Sequence, residues 1–66
     1  MKYAVLFEFP EGRLYAGLTG DRAFGFAPQL ETAEKYDDRQ AAMNVLTNGY
    51  GPETRQFGKV VEVPPQ

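Results

Sequence analysis

The chain reads as a small α+β domain: an antiparallel sheet of three to four strands with one helix packed across one face. Three observations predict it. The run from Lys2 to Thr19 is rich in aromatic and β-branched residues and is broken at its centre by Phe9-Pro10-Glu11-Gly12-Arg13, a tight reversal. A capped, amphipathic stretch follows at 37–48. A valine-rich stretch, QFGKVVEV at 56–63, closes the chain before Pro64.

The elements follow in order. Residues 2–9 and 13–19 form a hairpin, with Pro10 pre-setting φ and Gly12 taking a positive φ in a three-residue bulged loop. On that register Phe7 faces Tyr15 and Leu6 faces Ala16, so alternation gives two surfaces. One carries Tyr3, Val5, Phe7, Phe9, Arg13 and Tyr15; the other carries Ala4, Leu6, Glu8, Leu14, Ala16 and Leu18. Thr19-Gly20-Asp21-Arg22 is a second reversal. Residues 23–27, AFGFA, read either as a short third strand ended by Pro28 or as an ordered loop under aromatic side chains. Residues 29–36, QLETAEKY, read as one helical turn or as an extended connector.

Asp37 with Gln40 fits a capping box, and Asp38 suits the first turn of a helix over 37–48. Ala41, Ala42, Val45 and Leu46 form its buried stripe, and Gly49 is placed for a left-handed end with Tyr50 beyond it. Because that stripe is narrow and made of small residues, it is expected on the small-residue face of the hairpin. The ring-bearing face is then left over. Either the 20–36 segment folds back over it, or part of it stays open as a binding surface, since contiguous exposed apolar patches mark interfaces. Residues 64–66 are a frayed tail.

Composition narrows the function classes. A single 1–66 domain of 66 residues buries only about 60% of the surface its unfolded chain exposes, so small folds lean on disulfides, metals or a partner. The chain has no cysteine and no histidine, so neither a disulfide nor the commonest zinc ligands and general base are offered. A second copy or another protein is the support left. Asp37-Asp38 is explained by capping, Thr19 and Thr32 have no activating base, and the glycines lie in turns rather than in a phosphate-binding loop. No catalytic residue, cofactor or metal site is therefore expected, and the reading is of a non-enzymatic protein. No apolar run reaches membrane-spanning length, and a cytoplasmic protein with no membrane association is expected.

The binding residues expected on these grounds are Tyr3, Phe7, Arg13 and Tyr15 from the ring-bearing face, since Tyr and Arg are enriched at hot spots. Base stacking on those rings makes single-stranded nucleic acid a third reading. Seven Lys/Arg scattered among nine Asp/Glu weigh against it. A self-associating domain, a homodimer, is the alternative to a foreign protein partner.

The stretch 30–46, LETAEKYDDRQAAMNVL, followed by GKVVEV at 58–63, resembles the C-terminal half of small phage and prophage accessory proteins. Ala33, Tyr36, Asp37, Ala41, Ala42, Leu46 and Val60-Val61 carry the likeness. That group includes the anti-CRISPR inhibitors, and the resemblance implies an inhibitor acting in the host cytoplasm on a host CRISPR effector complex. In such an inhibitor, carboxylates replace phosphates in a basic DNA-binding groove. The candidates are Glu8, Glu11, Asp21, Glu31, Glu34, Asp37, Asp38 and Glu53, although a net charge of −2 is far from that of strongly acidic DNA mimics.

Overall fold

The computed structural model describes residues 1–18 and 24–64. Four strands, β1 (Lys2–Phe9), β2 (Gly12–Leu18), β3 (Phe24–Ala27) and β4 (Gly58–Val63), make one antiparallel sheet in the order β3-β2-β1-β4. Between β3 and β4 come a 3-10 turn (Leu30–Thr32), the helix α1 (Arg39–Gly49) and a four-residue helix α2 (Pro52–Arg55). The fold is a small α+β domain whose third strand is present and whose last strand lies beside its first. The expected reversal at 19–22 and the residues 65–66 of the tail lie outside the described residues.

The first hairpin turns one residue tighter than its sequence suggests. Phe9 pairs with Gly12, Phe7 with Leu14 and Leu6 with Tyr15, so the loop is Pro10-Glu11 alone. Gly12 opens β2 at φ +153°, a backbone open to glycine and strained for any L side chain. A one-residue change of register moves every side chain of the second strand to the other face. Leu14 and Ala16 therefore join Val5, Phe7 and Phe9, while Tyr15 leaves them and stands with Leu6.

The helix lies on the ring-bearing face, not on the small-residue face. Val5, Phe7, Ala16, Ala42 and Leu46 form the buried cluster, with Tyr3, Phe9, Tyr36, Tyr50 and Val60 packed around it. The reason is local. Phe7 has Gly58 directly opposite on β4, and on β2 its partner Leu14 is followed on the same face by Ala16, so the sheet surface is recessed on the Gly58 side of its ring. A Cβ at Gly58 would come within 2.5 Å of Leu46 Cδ1 and 2.8 Å of Phe7 Cε1. The narrow stripe of Ala42 and Leu46 fits because the glycine leaves that space to a leucine methyl and a ring edge. On the opposite face Ala4, Leu6, Ala27 and Val63 are also buried, together with Ala33 of the connector.

The connector between β3 and α1 uses both conformations its sequence allows. Leu30–Thr32 makes the 3-10 turn, and Lys35 folds back to donate from Nζ to the carbonyls of Leu30 (2.7 Å) and Ala33 (3.1 Å). The next residues are extended and enter the seam between β1 and β2. Tyr36 exchanges both backbone hydrogen bonds with Tyr3 (2.7 and 2.8 Å), and the Glu34 N–H donates to the Ala16 carbonyl (3.1 Å).

The helix begins one residue later than expected. Asp38, not Asp37, is the N-cap, accepting from the Ala41 N–H at 2.7 Å, and Asp37 is free to pair with Lys2 across the sheet end. At the other end Gly49 is the last helical residue and has no positive φ, so the expected left-handed ending is absent. Arg55 of α2 instead reaches back to donate to the Thr47 carbonyl at 2.7 Å, one of the carbonyls a helix end leaves unpaired. Pro52 does stop α1, but it also starts α2, where a proline at the first helical position loses nothing.

Two glycine substitutions test this frame for different reasons. Gly58→Ala is expected to destabilise the fold by about 1–3 kcal/mol through overpacking against Leu46 and Phe7. Gly12→Ala has open space for its Cβ and is expected to lose about 1–3 kcal/mol from backbone strain alone. Urea unfolding of both variants beside the wild type measures the two; a neutral Gly58→Ala contradicts the recess.

Candidate functional site

Five aromatic side chains gather at one place on the helix-bearing face. Phe7 is central and fully buried, with Phe9 stacked at 5.8 Å, Phe26 edge-on at 5.4 Å and Tyr50 tilted at 4.8 Å between ring centroids. Phe57 closes on Phe9 at 5.3 Å, and Phe26 meets both Phe9 (5.9 Å) and Tyr50 (5.5 Å). Four features of the fold deliver the five rings. β1 supplies Phe7 and Phe9 at alternate positions, and β3 supplies Phe26 opposite Ala16. The residue ending α1 supplies Tyr50, and the one entering β4 supplies Phe57. Ring pairs at these separations and tilts are favourable beyond the area they bury.

The cluster is closed underneath and open outward. Phe26 is 47% exposed, the most exposed ring among the described residues, and Phe9, Tyr50 and Phe57 are half-buried. Leu14, half-buried beside them, lies past the end of β3, where Pro28 stops the strand. The Tyr50 hydroxyl donates to the Gly25 carbonyl at 2.5 Å, tying α1's end to β3 and holding Phe26 in place. Burial pushes the Tyr50 phenol above its ordinary value, with a backbone hydrogen bond at Gly17 acting the other way. Glu11 and Glu53, both exposed, belong to the hairpin turn and to α2, the two segments next to Phe9 and Phe57 in the chain.

The residues expected to bind a partner are dispersed by the fold. Phe7 is in the core and touches no solvent, so it is not a contact residue. Tyr3 is half-buried with the Arg39 guanidinium 5.4 Å over its ring, at the far end of β1 from the cluster. Tyr15 is half-buried on the opposite face beside Leu6. Arg13 is exposed opposite Glu8 on that face, and Glu8 pairs with Lys59 at 2.6 Å. That hydrogen bond and charge hold the Glu8 carboxyl below its ordinary range. Lys2 does the same for Asp37. Asp38 is occupied as a helix cap, Glu31 is exposed on the 3-10 turn, Glu34 is half-buried in the seam, and Asp21 lies outside the described residues.

Phe9, Phe26, Tyr50 and Phe57 are the site residues the sequence did not single out. Only Phe9 was on the expected face, and the one-residue register change together with the helix position decides where the others meet. Among the described residues Lys2, Lys35, Arg39, Arg55 and Lys59 are all engaged by carboxylates, carbonyls or a ring, whereas Glu11, Glu31, Glu34 and Glu53 have no side-chain partner. Arg13, exposed opposite Glu8, is the one cation among the described residues outside these contacts, so carboxylates outnumber cations among the charged side chains left without a partner. No group of three or more carboxylates that could hold a metal ion occurs among the described residues, and no helix is long and apolar enough to cross a membrane. Comparison with protein-family models, curated proteins and solved structures finds no match.

Tyr36 gives the fold a measurable alkaline limb. Burial, and secondarily the nearby Glu34 carboxylate, push its phenol up from 10.0 to about 12. The folded protein thus holds this proton where the unfolded chain releases it. The associated stability is complete below pH 10 and is lost as pH rises towards about 12. Thermal melts at pH 9 and 11 should show a smaller drop for Tyr36→Phe than for the wild type; an equal drop contradicts the burial of the phenol.

Proposed function

We propose that this chain is a non-enzymatic protein-binding module that engages its partner through the outward side of the ring cluster, with Phe26 and Phe9 as anchors. Phe57 and Tyr50 stiffen the patch, and Glu11 and Glu53 set its rim. The observation that carries the reading is the 47% exposure of Phe26 at the open edge of a locked ring cluster. A phenylalanine held by three ring contacts and still open to water presents apolar area with little conformational freedom left to lose on binding, the profile of an interface anchor. The partner surface complementary to it is apolar at its centre and basic at its rim, because the rim carboxylates Glu11 and Glu53 have no cation paired with them.

The finer reading makes the partner a host CRISPR effector complex and the chain a phage accessory inhibitor working in the host cytoplasm. What supports it is the same acidic balance, facing the basic groove such complexes present to DNA. The ring patch then supplies the short-range part of the affinity, and the carboxylates supply the encounter.

The immobilised wild type is expected to retain a defined partner from a host lysate, to lose it with Phe26→Ser, and to hold it more weakly with Glu11→Lys/Glu53→Lys or with rising salt. Recovery of the same proteins by all three forms contradicts the patch. For the finer reading, the retained complex should be a nucleoprotein whose DNA binding the wild type inhibits; uninhibited DNA binding sinks that reading and leaves the patch standing.

A further inference from the structure

The two edges of the sheet are treated differently. β3 is four residues long, is stopped by Pro28, and has the Gly25 carbonyl already engaged by Tyr50. Short length and proline are the usual means of blunting an edge. β4 at the other edge has six residues with no proline inside. The Glu8 N–H donates to the Phe57 carbonyl at 3.0 Å, one step beyond the Phe7–Gly58 pair. Backbone direction alternates along an antiparallel ladder, so Lys59, Val61 and Val63 turn their amides to β1, while the Phe57 N–H, just before the strand, donates to the Thr54 carbonyl at 3.1 Å. Gly58, Val60 and Glu62 turn theirs outward, and no backbone hydrogen bond reaches that side among the described residues. The two charges that would guard this edge are drawn inward, Lys59 to Glu8 and Glu62 to Arg39 at 3.7 Å.

We infer that the free edge of β4 pairs with β4 of a second copy, antiparallel about a twofold axis at Val60, joining two four-stranded sheets into one. The chain's own chemistry selects this partner and register. A twofold perpendicular to the sheet pairs residues of like face. With Val60 opposite Val60, Gly58 faces Glu62 of the other copy at both ends, giving three outward-facing pairs with every amide available. Lys59 then faces Val61. Sliding by one step in one direction sets Lys59 against Lys59, and sliding in the other puts Pro64, which has no N–H, opposite Gly58.

The helix layer fits the same arrangement. α1 packs equally on β1 and β4. With strands about 4.8 Å apart, two helices so centred stand about 10 Å from each other across the new seam, which is the spacing of packed helices. Arg39 reaches Glu62 and Leu46 reaches the space over Gly58. Met43, one turn beyond Arg39 on the same side of the helix, therefore stands at the level of Val60, where the axis passes. It is 39% exposed, and the second copy's Met43 is what would cover it. An edge pair with one helix contact is a small interface, so the dimer should be weak and reversible.

Sedimentation of the full chain over a concentration series, up to about 1 mM, tests this. The wild type should pass from monomer to dimer. Met43→Glu, on an exposed helical position, and Glu62→Pro, whose lost N–H points away from β1, should each weaken the dimer at least about tenfold. Their circular dichroism should match the wild type, and Phe26→Ser should leave the association unchanged. A wild type that stays monomeric throughout, or a dimer that survives both Met43→Glu and Glu62→Pro, overturns the inference.

Discussion

The seat of Phe7 is the constraint on which the rest of the structure depends. Its ring is the largest fully buried side chain among the described residues, and it stands in one of the two inner strands of the sheet. Gly58 opposite it lowers the surface on one side, and Leu46 drops into the space that a side chain at 58 would take. This choice fixes which face the helix covers. The position of α1 then fixes where Tyr50 arrives, and the turn through α2 fixes where Phe57 arrives. The ring cluster follows from one recessed phenylalanine, and so does the surface left over for a partner.

Much of the fold was legible in the sequence because local chemistry and global fold agree there. Pro10 and Gly12 marked the hairpin, the aspartates at 37 and 38 marked the helix start, and Pro64 marked the end of the last strand. The departures came from choices that differ by a single residue. A three-residue and a two-residue loop both use a positive-φ glycine at position 12, yet they send Leu14, Tyr15 and Ala16 to opposite faces. Either aspartate can cap, and Asp38 does so while Lys2 holds Asp37. Tertiary pairing, invisible in the local pattern, decided both.

The candidate site was harder to read because it is assembled from four separate elements. Counting rings showed that the chain carries more of them than one slender helix was expected to cover. The helix and its flanks do cover most of them, since Phe7 is buried and Phe9, Tyr50 and Phe57 are half-buried around it. What stays open is one edge of the cluster at Phe26, much less than a whole hairpin face. Charge tells a parallel story. A net charge of −2 looks unremarkable from composition, but the pairing of Lys2, Arg39 and Lys59 within the fold leaves carboxylates as the greater share of what a partner meets.

The most direct test of this account is the set of short proton–proton distances around Leu46 in solution, read as nuclear Overhauser effects on methyl-labelled protein. The account requires strong effects from the Leu46 methyls to the Phe7 ring and to the Gly58 α-protons, and none to Ala4 or Leu6. Effects from Leu46 to Ala4 and Leu6 would place the helix on the other face of the sheet and remove the basis for both the ring patch and the paired edge.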